Sequence, residues 1–176
     1  MQAQESCSMS ARTTWHTMLD TPLGPLCIVG TAEGLTRVEF QHGKRPVQPA
    51  AYWMADRGVL DKACHQLQEY FQGQRRDFTL SLAPVGTPFQ QRVWQALQQI
   101  PYGTTSTYQE LAQHLGNPAA ARAIGAANGR NPLAIIIPCH RLIGSDGRLR
   151  GYAGGITVKQ RLLEHESLWF SAAQLS

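Results

Sequence analysis

The sequence predicts an α+β fold in two parts: a small N-terminal α/β unit, then a mostly helical unit containing a helix-turn-helix. Three features carry this reading. The first forty residues hold short apolar stretches separated by proline and glycine turns. After residue 87 the pattern changes to helix-capping sequences followed by apolar stripes of helical period. An alanine-rich segment then follows a glycine stop and an Asn-Pro start, which is the punctuation of two short helices about a tight turn.

In chain order, TTWHTML, PLCIVG and LTRVEF read as strands. The first reversal lies at residues 20–25, and in LTRVEF the residues Thr36, Val38 and Phe40 alternate as in a half-buried strand. Leu60, Cys64, Leu67 and Phe71 form one stripe of a helix expected over Val59 to Phe71. DFTLSL (77–82) alternates again and is expected as a further strand, after which APVGTP reads as a linker. The organisation expected is a flexible tail over 1–12, an N-terminal unit over 13–82, a linker over 83–87 and a C-terminal unit over 88–176.

In the second unit Thr87-Pro88-Phe89-Gln90 has the form of a capping box with proline at the first helical position. Its helix turns Phe89, Val93, Leu97 and Ile100 inward and ends at Pro101-Tyr102-Gly103. Ser106-Thr107-Tyr108-Gln109 reads as a second capping box, opening a helix with Tyr108, Leu111, Ala112 and Leu115 on one side. Gly116 stops that helix and Asn117-Pro118 starts the next. In PAAARAIGAANG, Ala121, Ile124, Gly125 and Asn128 share an inward face, leaving Ala119, Arg122, Ala123 and Ala126 outward. One arginine among methyl groups does not suit a major-groove reader, which offers several polar side chains to base edges. It suits a surface that approaches a shallow groove and pushes one side chain into the base stack. The plainer alternative is a good helix former packed closely on a neighbour.

Hydrophobic and charged contents of 43% and 16% are those of a folded chain rather than a disordered one. Neither a secretory h-region nor a run long enough to span a bilayer is apparent, so no membrane association and a cytoplasmic address are expected. Cys7, Cys27, Cys64 and Cys139 lack paired or metal-like spacing, which points to a reducing compartment and no metal. Eight basic and eight acidic side chains cancel up to residue 82, whereas eight basic face four acidic thereafter. The +4 excess therefore sits in the second half, where a polyanion would bind.

NPLAIIIPCHRLIG (131–144) poses the chemical question. Ile135-Ile136-Ile137 reads as the end of a buried strand, broken by Pro138 just before Cys139, His140 and Arg141. Adjacent strand residues face opposite ways, so the break frees Cys139 and His140 to turn toward a common pocket. A histidine there can take the thiol proton, giving the nucleophilic thiolate. The residues alone also allow a structural cysteine, or a Cys-His hydrolase oriented by Asn131 or Glu166.

Ile-Pro-Cys-His-Arg, with Asn131-Pro132 before it and Gly151-Tyr152-Ala153-Gly154-Gly155 after it, resembles the active-site region of the O6-alkylguanine-DNA alkyltransferases. TPFQQRVWQALQQIPYGTTSTYQELA upstream and LLEHE downstream extend the resemblance from about Thr87 to Glu166; TPLGPL and AEGL carry it loosely into the first unit. The resemblance implies a ribonuclease-H-like N-terminal α/β domain without a catalytic role. It also implies a single-use repair activity on double-stranded DNA carrying O6-alkylguanine and O4-alkylthymine, reached by flipping the base through the minor groove. No cofactor is implied: the alkyl donor is the DNA, and a thioether on Cys139 is a poor leaving group. A monomer is expected, with cooperative assembly on DNA as a further possibility to test.

Residue by residue, the resemblance makes Cys139 the alkyl acceptor, His140 its base through a water, and Glu166 the group orienting His140. Asn131 would hold the turn carrying the cysteine, and Tyr108 would protonate N3 of the departing guanine. Tyr152, Ala153 and Gly154 would line the substrate pocket. Arg122 would replace the extruded nucleotide, while Gln109, Asn117 and Ser145 would touch phosphates or sugars, and Ala119, Ala123 and Ala126 would face the groove. Many relatives have serine where this chain has Ala153. With Gly154 and Gly155 beside it, a low wall that admits bulkier alkyl groups is expected, and inactivation by free O6-benzylguanine would test it.

Three competing readings remain at this level. A non-enzymatic lesion binder would lack the cysteine, and a thiol hydrolase would have no use for the helix-turn-helix. A transcription factor would want a dimer and a polar reading helix.

Overall fold

In the computed structural model, which describes residues 13–174, the chain opens with β1 (Trp15–Leu19), β2 (Leu26–Thr31) and β3 (Gly34–Phe40) as an antiparallel meander. The expected tail and Cys7 lie outside the described residues. The first reversal works because Gly24 adopts φ 107°, a region that costs glycine little, and Thr21 Oγ1 donates to its carbonyl at 2.6 Å. A short strand not expected from the sequence, β4 (Met54–Ala55), pairs parallel to β1 and completes the order β3-β2-β1-β4. Two residues carry too little pattern for period-2 reading to register.

Helix α1 (Arg57–Phe71) starts two residues before the expected point because the Asp56 carboxylate accepts from the Gly58 and Val59 amides. It lays Leu60, Cys64, Leu67 and Tyr70 on β1 and β2. The strand expected over 77–82 does not form. Only Leu82 bridges to Leu35, and Thr79 instead gives its amide to Gln66 Oε1 at 2.9 Å while its hydroxyl accepts from Gln66 Nε2 at 2.8 Å.

The helical half follows the capping signals closely. α2 (Pro88–Leu97) begins with the full Thr87/Gln90 box, and Val93, Trp94 and Leu97 are buried. α3 (Tyr108–His114) begins one residue later than expected, capped by Thr107 with Glu110 rather than by Ser106 with Gln109. The reason is tertiary. Ser106 and Thr107 are held extended as β5 (Ser106–Thr107), paired parallel with β6 (Leu142–Ile143). Gly116 (φ 73°) ends α3, a 3-10 turn spans Pro118–Ala120, and α4 (Ala121–Asn128) completes the helix-turn-helix. Ile124 and Asn128 are buried as expected, Ala121 and Gly125 half-buried, and Ala119, Arg122, Ala123 and Ala126 exposed. α5 (Ile156–Gln174) packs across the Cys139 segment.

One apolar cluster joins both halves, from Leu26, Ile28 and Leu67 to Val93, Ile124 and Leu162. The outer edge of β3 is shared between them: Val38 donates to the Pro132 carbonyl and accepts from the Ala134 amide, both at 2.8 Å. No described helix is long and apolar enough to cross a membrane.

Candidate active site

The apolar run before Cys139 is not a strand. Residues 131–141 are a succession of tight turns, and all three isoleucines are buried because the turning backbone sends each of them into the core. Ile135 sits at φ 72°, a costly place for a β-branched residue, and the Ile136 amide closes a γ-turn on the Ala134 carbonyl at 2.9 Å. Pro138 bends the chain again, and the Cys139 amide bonds Ile137 O at 2.7 Å. Asn131 sits at the centre of these turns. Its Nδ2 donates to Ile137 O at 2.8 Å and Leu133 O at 3.5 Å, and its Oδ1 accepts from the Leu133 amide at 3.0 Å. These bonds replace the ladder that a strand would have provided. Strain at Ile135 is sustained because the surrounding bonds leave the segment no alternative.

Cys139, His140 and Arg141 then form one 3-10 turn, so consecutive side chains diverge about a helix axis instead of alternating across a sheet. Cys139 is 4% exposed, and its thiol titrates above its usual range. Burial is the main cause; the Asn131 side chain, Lys159 and Arg45 pull the other way. Cys27 and Cys64 are also buried and unpaired with another cysteine, and burial pushes Cys27 up to about 11. What sets Cys139 apart is the Asn131 side chain, a hydrogen-bond donor that neither Cys27 nor Cys64 has.

His140 and Glu166 are fully buried together, with His140 Nε2 2.8 Å from Glu166 Oε1. Arg141 clamps the same carboxylate with two donors at 2.9 Å and sends its third to Ile100 O at 2.6 Å. Tyr70 Oη donates to Oε1 at 2.8 Å and the Gly103 amide to Oε2 at 3.1 Å. Burial alone would raise the Glu166 carboxyl, but His140 and Arg141 overcome it and hold the group well below the carboxylate range. A carboxylate only accepts, so Nε2 carries the proton and Nδ1 is left as the basic nitrogen. Nδ1 has no protein partner among the described residues, and burial lowers the imidazole's affinity for a second proton.

The β5–β6 pair puts the first residue of α3, Tyr108, beside this turn. Its hydroxyl donates to Arg150 O at 3.4 Å, and burial followed by proximity to Cys139 raises its pKa. Lys159, on α5, donates to the same Arg150 carbonyl at 2.8 Å and to Leu142 O at 2.6 Å. Its burial lowers it to about 8. Cys139, Asn131, Tyr152, Ala153 and Gly154 share one small cavity. Glu39, Phe40 and Arg45 from the N-terminal half line the same cavity as Ala153.

Thus Cys139, Asn131, Tyr152, Ala153 and Gly154 meet in the cavity, with the Glu166–His140 pair behind the turn and Tyr108 at its side. Arg122, Gln109, Asn117, Ser145, Ala119, Ala123 and Ala126 are all exposed, and Gln109 Nε2 ties the helix-turn-helix by donating to Pro118 O at 3.1 Å. Sequence reasoning missed the buried partners Tyr70 and Lys159 and the whole contribution of β3 and its following loop. Lys159 had a signal: it shares a face of α5 with Leu162 and Glu166, at spacings of three and four. Tyr70 and Glu39 had none, since their contacts come from distant chain segments.

Among the described residues no three His, Cys, Asp or Glu side chains group as a metal site would require. The 6-O-methylguanine DNA methyltransferase ribonuclease-like domain model matches residues 15–84, and the DNA binding domain model of the same family matches residues 88–168. A methylated-DNA–protein-cysteine methyltransferase of Methanosarcina acetivorans is 46% identical over 152 residues, spanning 86% of this chain and 97% of that one. Its Mycobacterium tuberculosis counterpart is 48% identical over 149 residues, spanning 84% and 89%. The crystal structure of the M. tuberculosis O6-methylguanine methyltransferase superposes with a TM-score of 0.81 at 45% identity, covering 89% of this chain and 94% of that one. The structure of the M. tuberculosis protein in complex with DNA gives 0.82 at 45%, covering 88% and 94%. Two domain models in order and near-full-length relatives of this identity lead to one conclusion: the chain belongs to the 6-O-methylguanine DNA methyltransferase family, the methylated-DNA–protein-cysteine methyltransferases of DNA repair.

Proposed function

We propose that this chain transfers the alkyl group of O6-alkylguanine, and of O4-alkylthymine, in duplex DNA to Cys139 Sγ, once and irreversibly. The observation that carries the reading is a nucleophile only 4% exposed at a small cavity, which a base still stacked in a duplex cannot reach. A base must leave the duplex to meet it, and a damaged, poorly paired base does so at lower cost. The exposed Arg122 on its alanine face supports entry by the minor groove, with the guanidinium filling the space of the extruded nucleotide.

On this reading His140 Nδ1 receives the thiol proton through a water, and Glu166 holds the tautomer that leaves Nδ1 basic. The thiolate attacks the alkyl carbon, the S–C bond forms as the C–O bond breaks, and the electron pair passes to the guanine. Tyr108 supplies a proton to N3 of the departing base. Asn131 holds the turn that carries the cysteine; Tyr152, Ala153 and Gly154 hold the base and its substituent; Gln109, Asn117 and Ser145 touch the backbone near it. The product is a thioether that no group in the cavity can cleave, so each molecule reacts once. The two family models, meeting between residues 84 and 88, support units over 13–82 and 88–176 with a linker over 83–87. A cytoplasmic monomer in solution completes the proposal, with cooperative assembly on DNA left to titration against duplexes of increasing length.

The test is duplex DNA bearing methyl-labelled O6-methylguanine, incubated with wild-type protein and Cys139→Ala. Label moving to the wild type in one-to-one amount, with none on the variant, is the expected result. Lesion binding by both without transfer would sink the reading.

A further inference from the structure

The donors that converge on Glu166 are not shared evenly between its two oxygens. Oε2 accepts from Arg141 Nε and the Gly103 amide. Oε1 accepts from three side chains: His140 Nε2 and Tyr70 Oη at 2.8 Å, and Arg141 Nη2 at 2.9 Å. An oxygen of a carboxylate offers about two lone-pair sites, so on Oε1 three donors share what two would fill. His140 and Arg141 already hold the group ionised. Tyr70 is therefore not needed for the charge, yet it occupies the very oxygen that faces His140.

The phenol is fixed in that place. Tyr70 is the penultimate residue of α1 and fully buried, and its ring packs on Phe71, Phe78, Tyr102 and His165 with centroids between 5.1 and 6.0 Å apart. His165 Nε2 donates to the Tyr70 carbonyl at 2.8 Å. Burial first, then the neighbouring carboxylate, raises the hydroxyl well above its ordinary range, so at neutral pH it is a neutral donor.

Resting on the repair reading above, we propose that Tyr70 is a positioning residue for alkyl transfer. By holding Oε1 it weakens the pull of Glu166 on His140, and so limits the strength of Nδ1 as the base that takes the thiol proton. An imidazole facing an undivided carboxylate would fill Nδ1 with a proton at higher pH, and a filled Nδ1 cannot receive one from Cys139. The relay behind the thiol thus ends in the N-terminal half, on a side chain that touches neither the cysteine nor the cavity.

The groups packed against the His140–Glu166 pair are Arg141 from the same turn, Tyr70 from α1, Tyr102 from the turn after α2 and Lys159 from α5, with Cys139 and Tyr152 on the cavity side. Lys159 titrates at about 8 and Tyr102 at about 12; Cys139 and Tyr152 lie above their usual ranges and Glu166 below its own. The acid limb of transfer therefore belongs to His140, which burial holds below its ordinary 6.5.

The experiment measures single-turnover transfer from a duplex bearing O6-methylguanine between about pH 5 and 8.5, with the full chain and its Tyr70→Phe variant. Phenylalanine keeps the ring packing and the carbonyl that faces His165, and removes only the donor. The expected result is an acid limb moved up by roughly half a unit, about a threefold loss at the acid end relative to each protein's own plateau. Tyr102→Phe deletes a buried hydroxyl that has no partner among the described residues, and should leave the limb in place. The full chain with 3-fluorotyrosine at position 70, a stronger donor on the same ring, should move the limb down, and it carries the test if Tyr70→Phe does not fold. Coinciding limbs, a loss confined to the plateau, or an equal shift in Tyr102→Phe would make Tyr70 a structural fastening of α1 to α5 and overturn the inference, with methyl transfer and the repair reading intact. Absence of methyl transfer in the wild type would overturn the reading itself and this inference with it.

Discussion

Glu166 shows how one side chain can bind a site together. Five hydrogen bonds end on its two oxygens, from Arg141 twice, His140, Tyr70 and the Gly103 amide. These donors come from three separate stretches of chain, at Tyr70, Gly103 and His140-Arg141, so the carboxylate fixes both the His140 tautomer and the seating of α5 on α1. Removing the charge strands Arg141 in the interior. Glu166→Gln is therefore expected to cost about 3–5 kcal/mol in urea denaturation at neutral pH. Because the folded carboxyl titrates below its ordinary 4.5, the stability it contributes is fully present above that value and is lost as pH falls beneath it. The wild-type advantage over Glu166→Gln should hold flat from pH 8 to 5 and shrink only in acid; an advantage that fades already between pH 8 and 6 would mean that another group carries it.

Lys159 follows the same sign in a higher pH window, although here it is burial that depresses a cation rather than partners that hold an anion. Its folded value of about 8 lies below the ordinary 10.5, so between those values the unfolded chain binds more protons. Wild-type stability should gain from this residue as pH rises from 8 toward 10.5, and Lys159→Met should lack that gain. Denaturation curves of both proteins at pH 7.5, 8.5 and 9.5 decide the point, and parallel pH trends would show that the ammonium is not buried at a cost.

At the scale of the element, the segment over 131–141 matters most. Its composition is that of a strand end, three isoleucines and a proline, but Asn131 supplies side-chain partners where a sheet would supply backbone ones. Asn131→Ala leaves the Leu133 amide unpaired in the core and takes from the Ile137 carbonyl one of its two donors, leaving only the Cys139 amide. An expected loss of about 2–4 kcal/mol follows, together with slower alkyl transfer as Cys139 loses its fixed place. Unchanged urea midpoints would show that the turn is held by packing alone. The two helices of the helix-turn-helix are, by contrast, local structures: Thr107 with Glu110, Gly116 and Pro118 specify their ends within a few residues.

At the scale of the molecule, the two halves are divided in sequence but not in packing. β3 pairs with residues 132–134, Tyr70 of α1 bonds Glu166 of α5, and the apolar cluster runs through both. The chain should therefore unfold in one cooperative transition, with far-ultraviolet circular dichroism and tryptophan fluorescence (Trp15 and Trp53 in the first half, Trp94 and Trp169 in the second) giving the same midpoint. Two separated midpoints would mean that the interface is weaker than its buried contacts imply.

The sequence by itself determined what rests on near neighbours: the capped helices, the alternating strands of the meander, the exposed arginine among alanines, and the Pro-Cys-His-Arg string with its flanking glycines. Each is specified by residues within about one turn or one strand, where spacing translates directly into geometry. Only the tertiary structure decided the rest. It turned the isoleucine run from strand to γ-turn, moved the cap of α3 to Thr107 by pairing β5 with β6, and dissolved the strand over 77–82 by giving its hydrogen bonds to Gln66. It also buried Lys159, brought Tyr70 to Glu166, and backed the Cys139 cavity with Glu39, Phe40 and Arg45. The physical reason is common to all of these. Hydrogen-bond partners and solvent exclusion come from chain segments dozens of residues away, and no local period records them.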